Sequence, residues 1–166
     1  MKLENCWTPR ALAAAIVVVG VCAGCGLSEQ ASPAGPPFRP VGSVEDVMHD
    51  VVYPHAEVVW DSVGTIITVE GTNEIRPGNE DEWMRVMQSA LTLAEAGNLL
   101  MMEGRARDTA DWMTYANGLI DAATQVMEAA DMRDDQGVFD TGGELYVACT
   151  ACHEQYWEKP PSAMRP

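Results

Sequence analysis

Two thiols and an imidazole stand together near the end of the chain, in the run Cys149-Thr150-Ala151-Cys152-His153. The spacing C-x-x-C-H admits four chemistries. A reactive dithiol is one, but the thioredoxin-like form sits between a strand and a helix, and this run lies inside a helical pattern. A disulfide closed over two residues within a helix is strained. A zinc site wants a fourth ligand and usually a second ligand pair, and the whole chain holds three histidines. The fourth chemistry is covalent attachment of c-type haem. The two sulfurs add across the vinyl groups at one edge of the porphyrin, and the adjacent histidine binds the iron through Nε2. On a helix, Cys149, Cys152, His153 and Tyr156 fall at i, i+3, i+4 and i+7, one continuous face.

Haem attachment of this kind belongs to exported chains, and the N-terminus reads as an export signal. Lys2 and Arg10 flank a polar start. Ala11–Gly24 is then an apolar run of 14 residues, short for a membrane span and suited to a signal-peptide core. It closes on Val21-Cys22-Ala23-Gly24-Cys25, which looks like a bacterial lipobox with Cys22 where Leu is usual. The expected boundaries are a lipoprotein-type signal peptide at 1–24, with Cys25 lipidated. The Pro-, Ser- and Gly-rich stretch 25–42 reads as a flexible tether. The location implied is the periplasmic side of a bacterial membrane. Ordinary signal-peptidase cleavage, giving a soluble periplasmic protein, is the alternative. Either compartment is oxidising, and Cys6 and Cys22 leave with the leader.

Residues 43–158 read as four helices. Ser43 and Asp46 make a capping box. From there Val44, Val47, Met48, Val51, Val52, His55, Val58, Val59, Val63, Ile66 and Ile67 recur at helical steps, with Pro54 predicting a kink or split. Thr65–Val69 is strand-like in composition but has no evident partner, and Gly71–Asn79 reads as a turn-rich loop. Asn79 and Glu82 cap a second helix, whose face is Trp83, Val86, Met87, Ala90, Leu91 and Ala94. Asp108 and Asp111 start a third, with Trp112, Ala116, Leu119, Ala123 and Val126 on its stripe. The last helix runs from about Val138 to Trp157, and its Gly142-Gly143 pair implies a late start or close packing. Residues 159–166 form a tail without pattern, expected to be disordered. Stripes of this length joined by short loops predict an all-α chain, an antiparallel four-helix bundle with the haem on its C-terminal helix.

A helical bundle carrying C-x-x-C-H on its final helix, close to the C-terminus, resembles the class II cytochromes c, the cytochrome c prime family. The resemblance covers about Ser43 to Trp157. It implies His153 as the proximal iron ligand and a sixth position facing the first helix. Some members leave that position open and bind nitric oxide or carbon monoxide. Others place a methionine there and transfer electrons. Met48 lies on the apolar stripe at about that place, with His55 further along the same face as second choice and His49 one step off it. The family often continues with an aromatic residue and then a base after the motif. Tyr156 matches the first, and Trp157 replaces the second. The haem propionates want cationic partners, for which Arg105, Arg107 and Arg76 are the candidates. The resemblance leaves a homodimer open.

Composition closes other classes. The chain has 166 residues, enough for one domain, with 47% hydrophobic residues to form a core. Its 25 acidic against 10 basic residues give a net charge of −15, the wrong sign for binding nucleic acid. No nucleophile elbow, H-E-x-x-H or phosphate loop accompanies the motif, so an enzyme is not expected. The expected role is periplasmic electron transfer by a single haem, with a basic redox partner favoured by charge and the membrane touched through the lipid alone. Gas binding at an open sixth site is the alternative.

Overall fold

The computed structural model describes residues 38–157. The expected signal peptide, Cys25, the tether as far as residue 37 and the tail 159–166 lie outside the described residues. Among the described residues no helix is long and apolar enough to cross a membrane.

The first helical rod begins where Ser43 accepts from the Asp46 amide at 3.1 Å and Asp46 accepts in return from the Ser43 amide at 2.7 Å. It is built from α1 (Val44–Val47), a π-helical turn (Met48–Val52) and α2 (Tyr53–Asp61). The kink or split expected at Pro54 takes the form of this widened turn. Proline lacks an N–H and crowds the carbonyl four residues back. A π turn just before it moves those carbonyls aside, so the helix continues.

After α2 the chain makes an antiparallel hairpin of β1 (Gly64–Thr68) and β2 (Gly71–Ile75), with Gly64 opposite Ile75 and Thr68 opposite Gly71. The strand-like Thr65–Val69 therefore has a partner, Ile66 and Ile67 are corrected from the first helical stripe to β1, and the loop expected from Gly71 is corrected to a strand. Its turn is closed by Thr68, whose hydroxyl donates to the Gly71 carbonyl at 3.3 Å and accepts from the Glu70 amide at 3.2 Å. Gly71 itself sits at φ 144°, where a side chain would be strained.

Three long helices follow: α3 (Glu80–Met101), α4 (Asp111–Asp131) and α5 (Asp135–Tyr156). Asn79 caps α3 by accepting from the Glu82 amide at 3.0 Å. The Glu82 carboxylate reaches back to the Gly78 amide. Asp108 accepts from the Ala110 and Trp112 amides at 2.8 and 3.1 Å, and Asp134 accepts from Gly137 at 3.0 Å. That last cap starts α5 three residues before the expected Val138, and the glycine pair does not delay it. Gly142 is instead buried against Val59 and Trp60, and the Trp60 indole donates to its carbonyl at 2.9 Å.

The core is a single cluster drawn from all these helices. The α3 face is wider than expected: Ser89, Leu93, Ala96 and Gly97 are buried as well, while Leu91 is half exposed. Direction follows from the cross-contacts. Trp112 donates to the Leu100 carbonyl at 2.8 Å, and Arg133 pairs with Glu80, so α3 and α4 run antiparallel. Tyr115 near the start of α4 donates to Gln155 near the end of α5 at 3.1 Å, so these two also run antiparallel. The first rod packs on α3 through His55 and Ser89, and on α5 through Trp60. The chain is thus mainly helical with one small hairpin.

Candidate functional site

The last two turns of α5 carry the motif. Cys149 and Cys152 are partly buried and unpaired, and their side chains, with those of His153 and Tyr156, line a cavity of about 730 Å³. The opposite wall is the first rod, with Met48, Val52, Tyr53, Ala56 and Trp60, and Trp112 of α4 also contributes. Tyr53, Tyr146 and Trp157 border this space while remaining more than half exposed. A second, smaller cavity of about 40 Å³ adjoins the motif and is bounded chiefly by apolar side chains, among them Met48, Val52, Leu100, Ala116 and Leu119.

Burial pushes the Cys149 thiol up to about 11, with the neighbouring Cys152 adding to the effect, and burial raises Cys152 as well. Thiol–disulfide catalysts need the reverse, a lowered thiol at a helix N-terminus. Here both thiols sit near the C-terminal end of α5, where the helix dipole disfavours a thiolate. Among the described residues no group of three or more His, Cys, Asp or Glu side chains converges to hold a metal ion. The motif's chemistry is therefore that of two protonated thiols and one imidazole beside an aromatic-walled space.

Tyr156 is fixed from several sides. Its hydroxyl donates to Asp108, and its ring meets Trp112 and Tyr115 edge-on at 5.0 and 6.0 Å. Desolvation, then the Asp108 hydrogen bond, pushes the phenol up to about 12. The same hydrogen bond, with the capping amides, holds the Asp108 carboxyl below its usual range. Gln155 adds a second tie, donating to Asp111 at 3.1 Å. The C-terminal turn of α5 is thereby bound to the N-terminal turn of α4.

The expected sixth-ligand residues separate. Met48 is half-buried, lines both cavities and so shares them with His153. His55 is corrected: it borders neither cavity and instead makes a 3.2 Å hydrogen bond through Nδ1 to the buried Ser89 hydroxyl on α3. A π turn sweeps a smaller angle per residue than an α turn. Residues beyond it lag behind the straight-helix count, and His55 swings toward α3, where Ser89 gives it a partner. His49, placed off the stripe by that count, borders the large cavity and pairs with Asp50 at 2.7 Å. The Asp50 hydrogen bond, then its charge, raises the imidazole.

The arginines separate in the same way. Arg105 is corrected from a propionate candidate to a buried structural residue. It donates to the Gly42 carbonyl at 3.0 Å and the Leu99 carbonyl at 3.2 Å, satisfying an acceptor that the end of α3 leaves unpaired. This also anchors Gly42, the last residue of the expected tether. Arg76 lies 4.0 Å from Asp135, away from the motif. Arg107 borders the large cavity and is the one Lys or Arg side chain that does so among the described residues. Comparison of the chain with protein-family models, curated proteins and solved structures gives no match.

Proposed function

We propose that this protein is a c-type cytochrome, an antiparallel four-helix bundle carrying one covalent haem on its last helix and transferring single electrons on the periplasmic side of a bacterial membrane. The observation that carries the reading is the opening of one face of α5, bearing Cys149, Cys152 and His153, onto an aromatic-walled cavity of about 730 Å³. That volume falls within the usual range of cofactor pockets, about 300–1,000 Å³. The wall is apolar and aromatic where a porphyrin plane needs it, and Arg107 offers a cation for a propionate.

In this reading Cys149 and Cys152 would hold the haem through thioether bonds, each S–H adding across one vinyl group. The raised thiols match this use, since neither is tuned for exchange with disulfides. His153 would hold the iron, with Met48 on the facing wall as the candidate second ligand. Bound there, haem supplies a one-electron iron couple. The chain's own groups set its burial, its axial ligands and its surroundings. Tyr156, held by Asp108, keeps the last turn of α5 in register with α4. Cys25 anchors the chain through lipid, with a soluble periplasmic form as the alternative. In this reading the protein acts as an electron carrier rather than an enzyme.

Gas binding at an open sixth site is the second reading. The small apolar cavity beside Met48 favours it, because such a space stays dry and takes small apolar molecules. The ferric optical spectrum of the wild type and of Met48→Ala separates the two. Electron transfer with methionine ligation predicts a low-spin wild type with a weak sulfur-to-iron band at the far-red end. Met48→Ala loses the band and binds carbon monoxide. A wild type that is high-spin and binds carbon monoxide readily contradicts Met48 ligation and gives the function to gas capture.

A further inference from the structure

The cations of this chain are unevenly placed. α4 carries four carboxylates and no Lys or Arg, and none occurs from Val41 to Ile75 or from Asp134 to Trp157 either. The last two segments supply the first rod and α5, the two elements that frame the large cavity. They carry five carboxylates over Val44–Asp61 and four over α5. The other arginines of the described residues belong to α3 and the loops, and Arg107 alone reaches the mouth.

Along α5, a second stripe runs beside the one that faces the core. Phe139, Gly143, Tyr146 and Thr150 recur at steps of four, three and four, one line on a helix, and Trp157 follows just past the end of α5. Glu154, four residues after Thr150, is the one charged residue at its edge. Phe139 is 57% exposed, Tyr146 58% and Trp157 64%, with Val147 beside them at 57%. Singly exposed apolar residues need no explanation, but an aligned aromatic row bordered by polar residues marks an interaction surface. Asp140 and Glu144 lie next round the helix on the solvent side. Glu45 and the Asp50 beside His49 stand on the first rod across the mouth. Tyr146 and Trp157 belong both to this row and to the cavity wall, so a partner seated on the row lies one side chain from the cavity's occupant.

Resting on the cytochrome reading, we infer that this face is the docking surface for a redox protein whose own docking patch is basic at its rim and apolar at its centre. The row supplies the apolar contact, and the acidic flanks supply orientation and speed of encounter. A second copy of this chain is disfavoured as occupant, since pairing the face with itself would set acidic flanks against acidic flanks.

The test uses the haem-loaded full chain, isotopically labelled, and mitochondrial-type cytochrome c as a basic redox probe. Amide shifts on titration should cluster on α5 and residues 44–61. Asp140→Lys/Glu144→Lys should weaken calorimetric binding by about tenfold or more, while the equal charge change Asp121→Lys/Glu128→Lys on α4 should alter it by less than about threefold. Val147→Ser, which leaves charge unchanged, should weaken binding too. Equal weakening by both charge pairs, or shifts spread over α3 and α4, would mean attraction by net charge without a face and would overturn the proposal. A chain that sediments as a dimer and becomes monomeric with Val147→Asp would give the face to a second copy and overturn it as well. The absorption spectrum reports the haem and the amide map reports the face, so failure of either reading is seen separately.

Discussion

The Asp108 carboxylate accepts three hydrogen bonds, from the Ala110 and Trp112 amides and from the Tyr156 hydroxyl. The first two start α4, and the third ties that start to the turn of α5 that bears the motif. The Tyr156 bond, then the amides, holds the Asp108 carboxyl below its ordinary 3.8 in the folded chain. A folded-state value below the unfolded one adds stability above the unfolded value and loses it as pH falls through the folded value. From the other partner, a phenol pushed from 10.0 to about 12 adds stability below pH 10 that is lost as pH rises toward 12. Asp108→Asn keeps an acceptor for the amides but removes the charge. Its thermal midpoint should lie below that of the wild type near neutrality, with the gap closing as pH falls below 4. A gap independent of pH between 2 and 6 would remove the carboxylate from this account. Neither Asp108 nor its partner was legible as a pair, although Tyr156 was legible from the motif's helical spacing. Arg105 misled for a related reason. A cation near a charged cofactor's motif looks free until the carbonyls of Gly42 and Leu99 are seen beside it.

The helices were legible because each buries a stripe at steps of three and four, and because their caps are side chains with one evident use: Ser43, Asn79, Asp108. Two features were not. The strands β1 and β2 expose nearly all their residues, so no alternation of apolar and polar positions marks β2. The π turn at Met48–Val52 leaves the composition of its helix unchanged while rotating everything after it, which is why His55 leaves the place that straight-helix counting assigns it. Close helix approach was equally silent. A Cβ on Gly97 would sit 2.4 Å from Ile120 Cγ1 and 2.8 Å from the Ala116 carbonyl oxygen, and the latter is backbone that cannot turn aside. Gly97→Ala should therefore cost about 1–3 kcal/mol through overpacking, in excess of alanine's better helix propensity. Denaturant unfolding measures it. A variant as stable as the wild type would show that α3 and α4 separate easily.

At the scale of the whole chain, a net charge of −15 leaves every long helix acidic, and among the described residues the arginines other than Arg85 lie outside the helices. Total charge was legible in the sequence, but its placement needed the fold, because segments far apart in the chain frame one mouth. The N-terminal segment belongs to this scale too, since a lipid on Cys25 would hold the domain beside a membrane. Cys25→Ser should move the protein from the membrane fraction to the soluble periplasm. A wild type already released by osmotic shock would instead support simple cleavage. All of this depends on the cofactor, and the intact mass of the denatured protein tests the cofactor most directly. Produced in a host with haem-attachment machinery, the chain should be heavier than its polypeptide by one haem, and Cys149→Ser/Cys152→Ser should return it to the polypeptide mass. A colourless wild type at the bare polypeptide mass would contradict the account at its centre.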